Sequence, residues 1–436
     1  MKVATSTTTA EQTSTENQPV DPRIDHKDGH QGNHHDNEHY PTGWIMLLGL
    51  IIAVGPLTID MYLPALPSMA KDFGVATSFI ANSVPAYFVG LVVGQLFYGP
   101  LSDRIGRIKP LYFGMVVYVI ASIICATTDN AYVLFAARTV QALGACVGTV
   151  VTRAMVRDRL HPKQMAKAFS LMVLVMGIAP ILAPSMGALL LKFTDWRVIF
   201  WFLAGFGVLN IILTKLFLHE TLAPENRNAR PINQLLGQYW NLLKDVRFNY
   251  PAVGAGLLMG SMFVYISAAP ELIMEAYGVT PEHFSWIFGM NAAGFIGLTQ
   301  VNQWLVNRYR LVSLLRIGAL VQVVAAGVLM TLGLLFGIQA WLPLVLACIF
   351  CCIAGLGLTQ PNAGAIALAF QKKQAGTASA LQGSLNFAVG IFGGLLLNLF
   401  PFNAVAKLGL TMFILMAIGC WLVFQIDKNL DLANID

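Results

Sequence analysis

Charge is scarce in this chain. Asp, Glu, Lys and Arg make up 11% of its 436 residues, where a soluble domain carries about a quarter. That deficit, set against 56% hydrophobic residues, excludes an ordinary soluble globular protein and predicts an all-α integral membrane protein embedded in a lipid bilayer. A net charge of +5 spread over so apolar a chain gives no footing for nucleic acid, and no such partner is expected. Cysteine is sparse too. Cys125, Cys146, Cys348, Cys351, Cys352 and Cys420 lie in or beside apolar runs without zinc-ligand spacing, which predicts packing residues and no metal site. No GxxxxGK[ST] occurs, so neither a nucleotide nor another cofactor is expected, and energy should come from an ion gradient. No nucleophile–base pair emerges, so an enzyme is not expected. The first forty residues are polar, and no cleavable signal peptide is expected there.

What the chain does have is length in apolar runs. Twelve stretches fall near 44–65, 79–101, 109–127, 132–155, 166–191, 197–218, 251–274, 284–306, 313–336, 341–368, 375–400 and 404–425. Residues 1–43 form a polar tail with His26, His30, His34, His35 and His39, expected to be disordered and cytoplasmic. Gly29 and Gly32 weaken any helix that would align those histidines on a metal. A polar connection at 219–250 divides the stretches into an amino-terminal half (44–218) and a carboxy-terminal half (251–427), followed by a cytoplasmic tail at 428–436. With the amino terminus inside, nineteen basic residues, Arg153 among them, fall in the inside loops and the final tail and four outside. This bias predicts that both termini are cytoplasmic. Residues 101–114 (LSDRIGRIKPLYFG) and 305–318 (LVNRYRLVSLLRIG) coincide at Leu101/Leu305, Arg104/Arg308, Leu111/Leu315 and Gly114/Gly318, a trace of duplication between the halves.

The opening run, WIMLLGLIIAVGPLTIDMYLPALP at 44–67, carries one ionisable group, Asp60. An acid within a membrane helix costs about 2.5–3.5 kcal/mol on insertion scales, which marks Asp60 as a candidate proton or substrate site. Counting about 1.5 Å per residue from Trp44 puts it in the outer half of the bilayer. Arg138 is the one basic residue left inside the apolar part. The candidate cavity wall, chosen by composition, is Tyr62, Gln141, Met172, Met176, Asn291, Gln360, Asn362, Gln382 and Asn386. Such amides also serve as interhelical glue.

The most specific motif is GPLSDRIGRIK at 99–109. Gly99 and Gly106 permit close approach and a tight turn, and Asp103 can pair with Arg107 or Arg104, with Lys109 closing the basic loop. This pattern resembles the loop signature of the major facilitator superfamily between its second and third helices. PLTIDMYLPALPSMAKDFGV (56–75), Arg138-Thr-Val-Gln141, the 179–187 segment APILAPSMG, DWRVIF (195–200) and Gly376-Thr-Ala-Ser379 further resemble its drug/proton antiporter branch, the Bcr/CflA group. The likeness spans the chain from about Trp44 to the twelfth helix. Three places depart from the pattern: Ala142 follows the Gln, Ala183 and Ala188 stand for glycines, and Ile52 occupies the place of a second acid.

The resemblance implies the superfamily's fold, twelve transmembrane helices in two pseudo-symmetric six-helix halves. It also implies proton-coupled export of small-molecule drugs, chloramphenicol- or bicyclomycin-like, across a bacterial inner membrane. Asp60 and Arg138 would couple proton binding to conformational change. Gly99, Asp103, Arg104, Gly106, Arg107 and Lys109 would latch the halves through the start of helix eleven near Gly376. Pro180, Pro184 and Gly187 would form the antiporter motif of helix five. A monomer is expected. Two other readings are a dedicated exporter of one metabolite and a membrane sensor working through the His-rich tail.

Overall fold

The computed structural model describes residues 42–227, 232–371 and 375–426. The His-rich tail and residues 428–436 therefore lie outside the described residues. The rest of the chain is helical, as a bilayer demands, because no water is present to satisfy unpaired backbone groups. Twelve long helices run as α1 (Thr42–Asp60), α2 (Ser83–Ile105), α3 (Ile108–Thr127), α4 (Ala131–Arg159), α5 (Pro162–Leu191) and α6 (Arg197–Phe217). They continue as α7 (Val246–Ala269), α8 (Pro281–Leu305), α9 (Leu311–Phe336), α10 (Leu342–Ala369), α11 (Ala375–Leu399) and α12 (Ala404–Phe424). All but α8 combine the length and apolarity of a membrane span; α8 has the length but carries His283, Asn291, Gln300, Asn302 and Gln303.

Local chemistry sets the helix starts. Asn130 accepts from the N–H groups of Tyr132 and Val133 at the head of α4, Asp245 from Arg247 at α7, Thr280 from His283 at α8 and Asn403 from Ala406 at α12. Pro162 and Pro281 occupy first-turn positions, where a missing N–H costs nothing. Four expected single helices are interrupted. The second has a turn at Ala81 and Asn82 after Thr77–Ile80, and the tenth breaks at Gly355 between Leu342–Ala354 and Leu356–Ala369. The opening apolar run stops as a helix at Asp60, turns at Met61 and Tyr62, and resumes as Leu63–Ala65 and Leu66–Phe73, with Pro64 and Pro67 at the restarts. The seventh passes into a π-helical turn at Pro270–Ala276.

The polar connection is also not a plain loop. Within it Ile232–Lys244 forms a helix, with Tyr239, Leu242 and Leu243 packed onto Phe248, Ala252, Ala378 and Leu381. Its apolar residues recur at helical spacing among charges and amides, a pattern that a hydropathy average conceals.

Packing repeats between the halves. α2 and α3 lie on α4, α3 on α6, and α1 on α4, α5 and α6. The same pairings recur six helices later: α8 and α9 lie on α10, α9 on α12, and α7 on α10, α11 and α12. The halves meet along two symmetry-related seams, α2 with α11 and α5 with α8. One end of the bundle carries the 104–109 loop with Arg157, Arg159 and Lys215, and is called the basic face below. At the opposite end Lys192 pairs with Glu282 at 2.8 Å and Asn398 donates to Asn82 at 2.8 Å, so polar contacts tie the halves together there.

Candidate functional site

Asp60 ends α1 beside the seam. It is 4% exposed, and its Oδ1 has no hydrogen-bond partner. It interacts electrostatically with Tyr265 of α7, in the other half, whose hydroxyl accepts from Asn291 of α8 at 2.9 Å. A carboxylate in such a place must be compensated by a proton, by water or by a partner.

Arg138 is 1% exposed and forms no ion pair with Asp60. Its guanidinium lies between the rings of Tyr62 at 4.2 Å and Tyr87 at 4.4 Å, with Phe200 at 5.8 Å. Nη1 donates to Gln141 Oε1 at 2.6 Å and Nη2 to the Thr58 carbonyl at 3.2 Å. Gln141 in turn donates to Ser122 at 2.7 Å, while Thr58 and Tyr118 share a hydrogen bond of 2.8 Å. The cation is therefore held by π faces and neutral acceptors, which stabilise it where water cannot. The carbonyl it engages belongs to the residue two before Asp60, so the two groups are joined through the end of α1.

Gly187 of α5 packs directly on the Met61 carbonyl, and Pro184 is buried one turn earlier, with Pro180 half-buried. The antiporter-like segment thus supports the turn that follows Asp60. Of the expected cavity residues, Tyr62 and Gln141 belong to the Arg138 box and Met172 is buried. Asn291 holds Tyr265, Gln360 donates to the Ala255 carbonyl, and Asn362 pairs with Asn302 at 2.8 Å. Met176, Gln382 and Asn386 are half-buried, and the Asn386 Oδ1 has no partner.

At the basic face Arg107 binds Asp103 at 2.6 Å, Ser102 at 2.8 Å, and Asp158 through Nε at 2.8 Å and Nη2 at 3.2 Å. Gly106 turns with φ of 95° against Glu220 and Arg227. Glu220 accepts from the N–H groups of Arg107 and Ile108 at the start of α3. Burial raises its pKa, but the N–H groups of Arg107, Leu222, Ile108 and Thr221 more than offset this and hold it below the usual carboxylate range. Ser102 in turn donates to the Gly99 carbonyl at 2.9 Å, while Arg104 and Lys109 take no part in these contacts. Among the described residues Asp103 and Arg107 make no contact with α11, so the expected reach is not made. Arg107 is engaged inside its own half, and the side chain that approaches Gly376 is Arg157.

Sequence reasoning missed Tyr87, Phe200, Asp158 and Glu220. Asp158 carried a faint signal as the lone acid among Arg153, Arg157 and Arg159. The count of basic residues by side places Arg153 with the inside loops; it stands inside α4, because that helix continues to Arg159. Among the described residues no cluster of metal-ligating side chains occurs, and all six cysteines are free. On the face opposite the basic one, a cleft of about 420 Å³ opens between Pro64, Asp72 and Trp196 of one half and Met274, Val279 and Pro281 of the other.

Two repeated helical halves meeting at seams, with buried ionisable groups beside them, define a polytopic membrane transporter. The family model described as Major Facilitator Superfamily matches residues 48–394, and the chain belongs to that superfamily, whose members transport small molecules and are not enzymes. It is 35% identical over 402 residues, 90% of this chain and 98% of the relative, to a Bacillus subtilis protein described as an uncharacterized MFS-type transporter. It is 32% identical to multidrug resistance protein D of Escherichia coli, over 87% of this chain and 94% of that one. A bicyclomycin resistance protein homolog of Haemophilus influenzae is 28% identical over 85% of this chain and 92% of its own length. Among solved structures, a bacterial homolog of the lysosomal transporter Spinster superposes with a TM-score of 0.68 at 15% identity, covering 90% of this chain and 98% of that one. A D-xylose–proton symporter does so at 0.67 and 16%, covering 89% and 96%. At these identities the superpositions establish the fold.

Proposed function

We propose that this transporter exports small amphipathic compounds in exchange for protons, working by alternating access between its six-helix halves. The observation that carries the reading is Asp60, a buried carboxyl with an unpartnered oxygen at the seam. The names of the Escherichia coli and Haemophilus influenzae relatives favour drugs over a single metabolite as cargo. In this reading Asp60 takes a proton from outside and yields it to the cytoplasm as the seam opens, and Arg138 passes that change to α4. The Arg107 cluster keeps the first half rigid and engages helix eleven when the opposite face opens. Tyr62, Gln141, Met172, Met176, Asn291, Gln360, Asn362, Gln382 and Asn386 remain the proposed substrate wall. The basic face is cytoplasmic, the membrane is a bacterial inner membrane, and the working unit is a monomer. Drug susceptibility of cells expressing the chain, compared with metabolite secretion, separates a multidrug exporter from a dedicated one. A panel with no change in any drug would overturn the drug reading.

A further inference from the structure

Among the described residues Arg153 is a cation without a counter-ion. It stands six residues before the end of α4, about 9 Å along the helix, yet its side chain is exposed. The neighbours show what it is exposed to. α1 runs between α4 and α5, with Gly148 of α4 against Ile51 and Val175 of α5 against Gly49. Arg153 Nη2 donates to Met176 Sδ of α5 at 3.8 Å, so the guanidinium reaches across α1. Arg153 shares its helix face with Cys146, which touches the Leu91 carbonyl of α2, and with Arg157, which approaches Gly376 of α11. Gly177, next to Met176, lies against Ile296 of α8. α2, α5, α8 and α11 are the seam helices, so the space before Arg153 lies between the halves and not in lipid.

No carboxylate among the described residues pairs with Arg153, and α10 and α11 contain no Asp or Glu. A thioether is a weak acceptor and leaves most of the guanidinium's five donors unused. A planar guanidinium fork facing a space between the halves can bind a carboxylate in bidentate fashion. We propose that Arg153 recognises the acidic group of amphipathic anionic substrates, so that the cargo includes organic carboxylates. This rests on the transporter reading above and adds the class of cargo to it. The level of Gly49 lies eleven residues from Asp60, roughly 16 Å away along α1. Anion and proton therefore occupy separate sites.

The test is binding of three acids (fusidate, nalidixate and cholate) and their methyl esters to the full chain in phosphatidylcholine nanodiscs, without a proton gradient. Wild type is expected to bind at least one acid about tenfold more tightly than its ester. Arg153→Gln should remove that preference and leave the ester's affinity within about twofold, while Arg153→Lys should keep part of it. A wild type that prefers none of the acids to its ester overturns the proposal. So does an Arg153→Gln protein that loses acid and ester equally, as a merely structural residue would. Because no gradient is used, a failure of Asp60-coupled efflux leaves this result standing, and loss of the acid preference leaves the efflux reading standing.

Discussion

Gly187 of α5 lies with its Cα against the carbonyl oxygen of Met61, so that a β-carbon would stand inside van der Waals contact. The obstacle is backbone, which cannot rotate away as a side chain can. Gly187→Ala should therefore displace the turn after Asp60 and cost about 1–3 kcal/mol. The expected outcome is a lower melting temperature and at least tenfold slower transport, with Gly187→Val worse. Gly205→Ala is the control: nothing lies within 4 Å of its added carbon, and both quantities should stay at wild-type values.

The Arg138 box makes a second, separable claim. Arg138→Ala would leave the Gln141 oxygen and the Thr58 carbonyl without their donor, at about 1–3 kcal/mol for each buried group left unpaired. It should melt earlier than wild type. Arg138→Lys keeps the charge but not the flat fork between Tyr62 and Tyr87. It should fold well enough to purify and still transport more than tenfold more slowly. Lysine giving full wild-type rates would show that charge alone suffices there.

Glu220 gives a pH signature. Its folded pKa is depressed, so its contribution is complete above the unfolded value of about 4.3 and is lost as the pH falls through the lower folded one. Glu220→Gln should lower stability by about 1 kcal/mol at neutral pH, a figure discounted for the residue's partial exposure. The gap between wild type and variant should hold from pH 7 to 5 and close below about 4.3. Thermal melts of the purified pair across that range measure it. A gap that widened on acidification would contradict the assignment.

The two polar ties opposite the basic face should be weak switches. Lys192 and Glu282 are about half exposed, with side-chain values of 49% and 53%, so their pair is worth under about 1 kcal/mol. Lys192→Ala or Asn398→Ala alone should shift the balance of open and closed forms less than tenfold, and the double variant more. Labelling of a cysteine placed at Ser68, which lines the cleft on that face, reads the shift.

Much of the architecture was legible in the sequence, because lipid forces length and apolarity onto every span. The twelve stretches and the split into halves follow from that alone. Asp60 was legible for the same reason, as an acid where lipid penalises one. The Arg138 box was not, because Tyr87 and Phe200 come from α2 and α6 and no spacing links them to α4. Arg153 was missed because counting basic residues by side places any arginine near a helix end in a loop. The Ile232–Lys244 helix was missed because its apolar stripe is averaged with the charges around it.

Proton-driven drug transport in proteoliposomes, comparing wild type with Asp60→Asn, tests the central claim most directly. The account predicts that wild type accumulates drug against its gradient when ΔpH is imposed, and that Asp60→Asn binds drug but accumulates none. Wild-type accumulation by Asp60→Asn under the same ΔpH would contradict it.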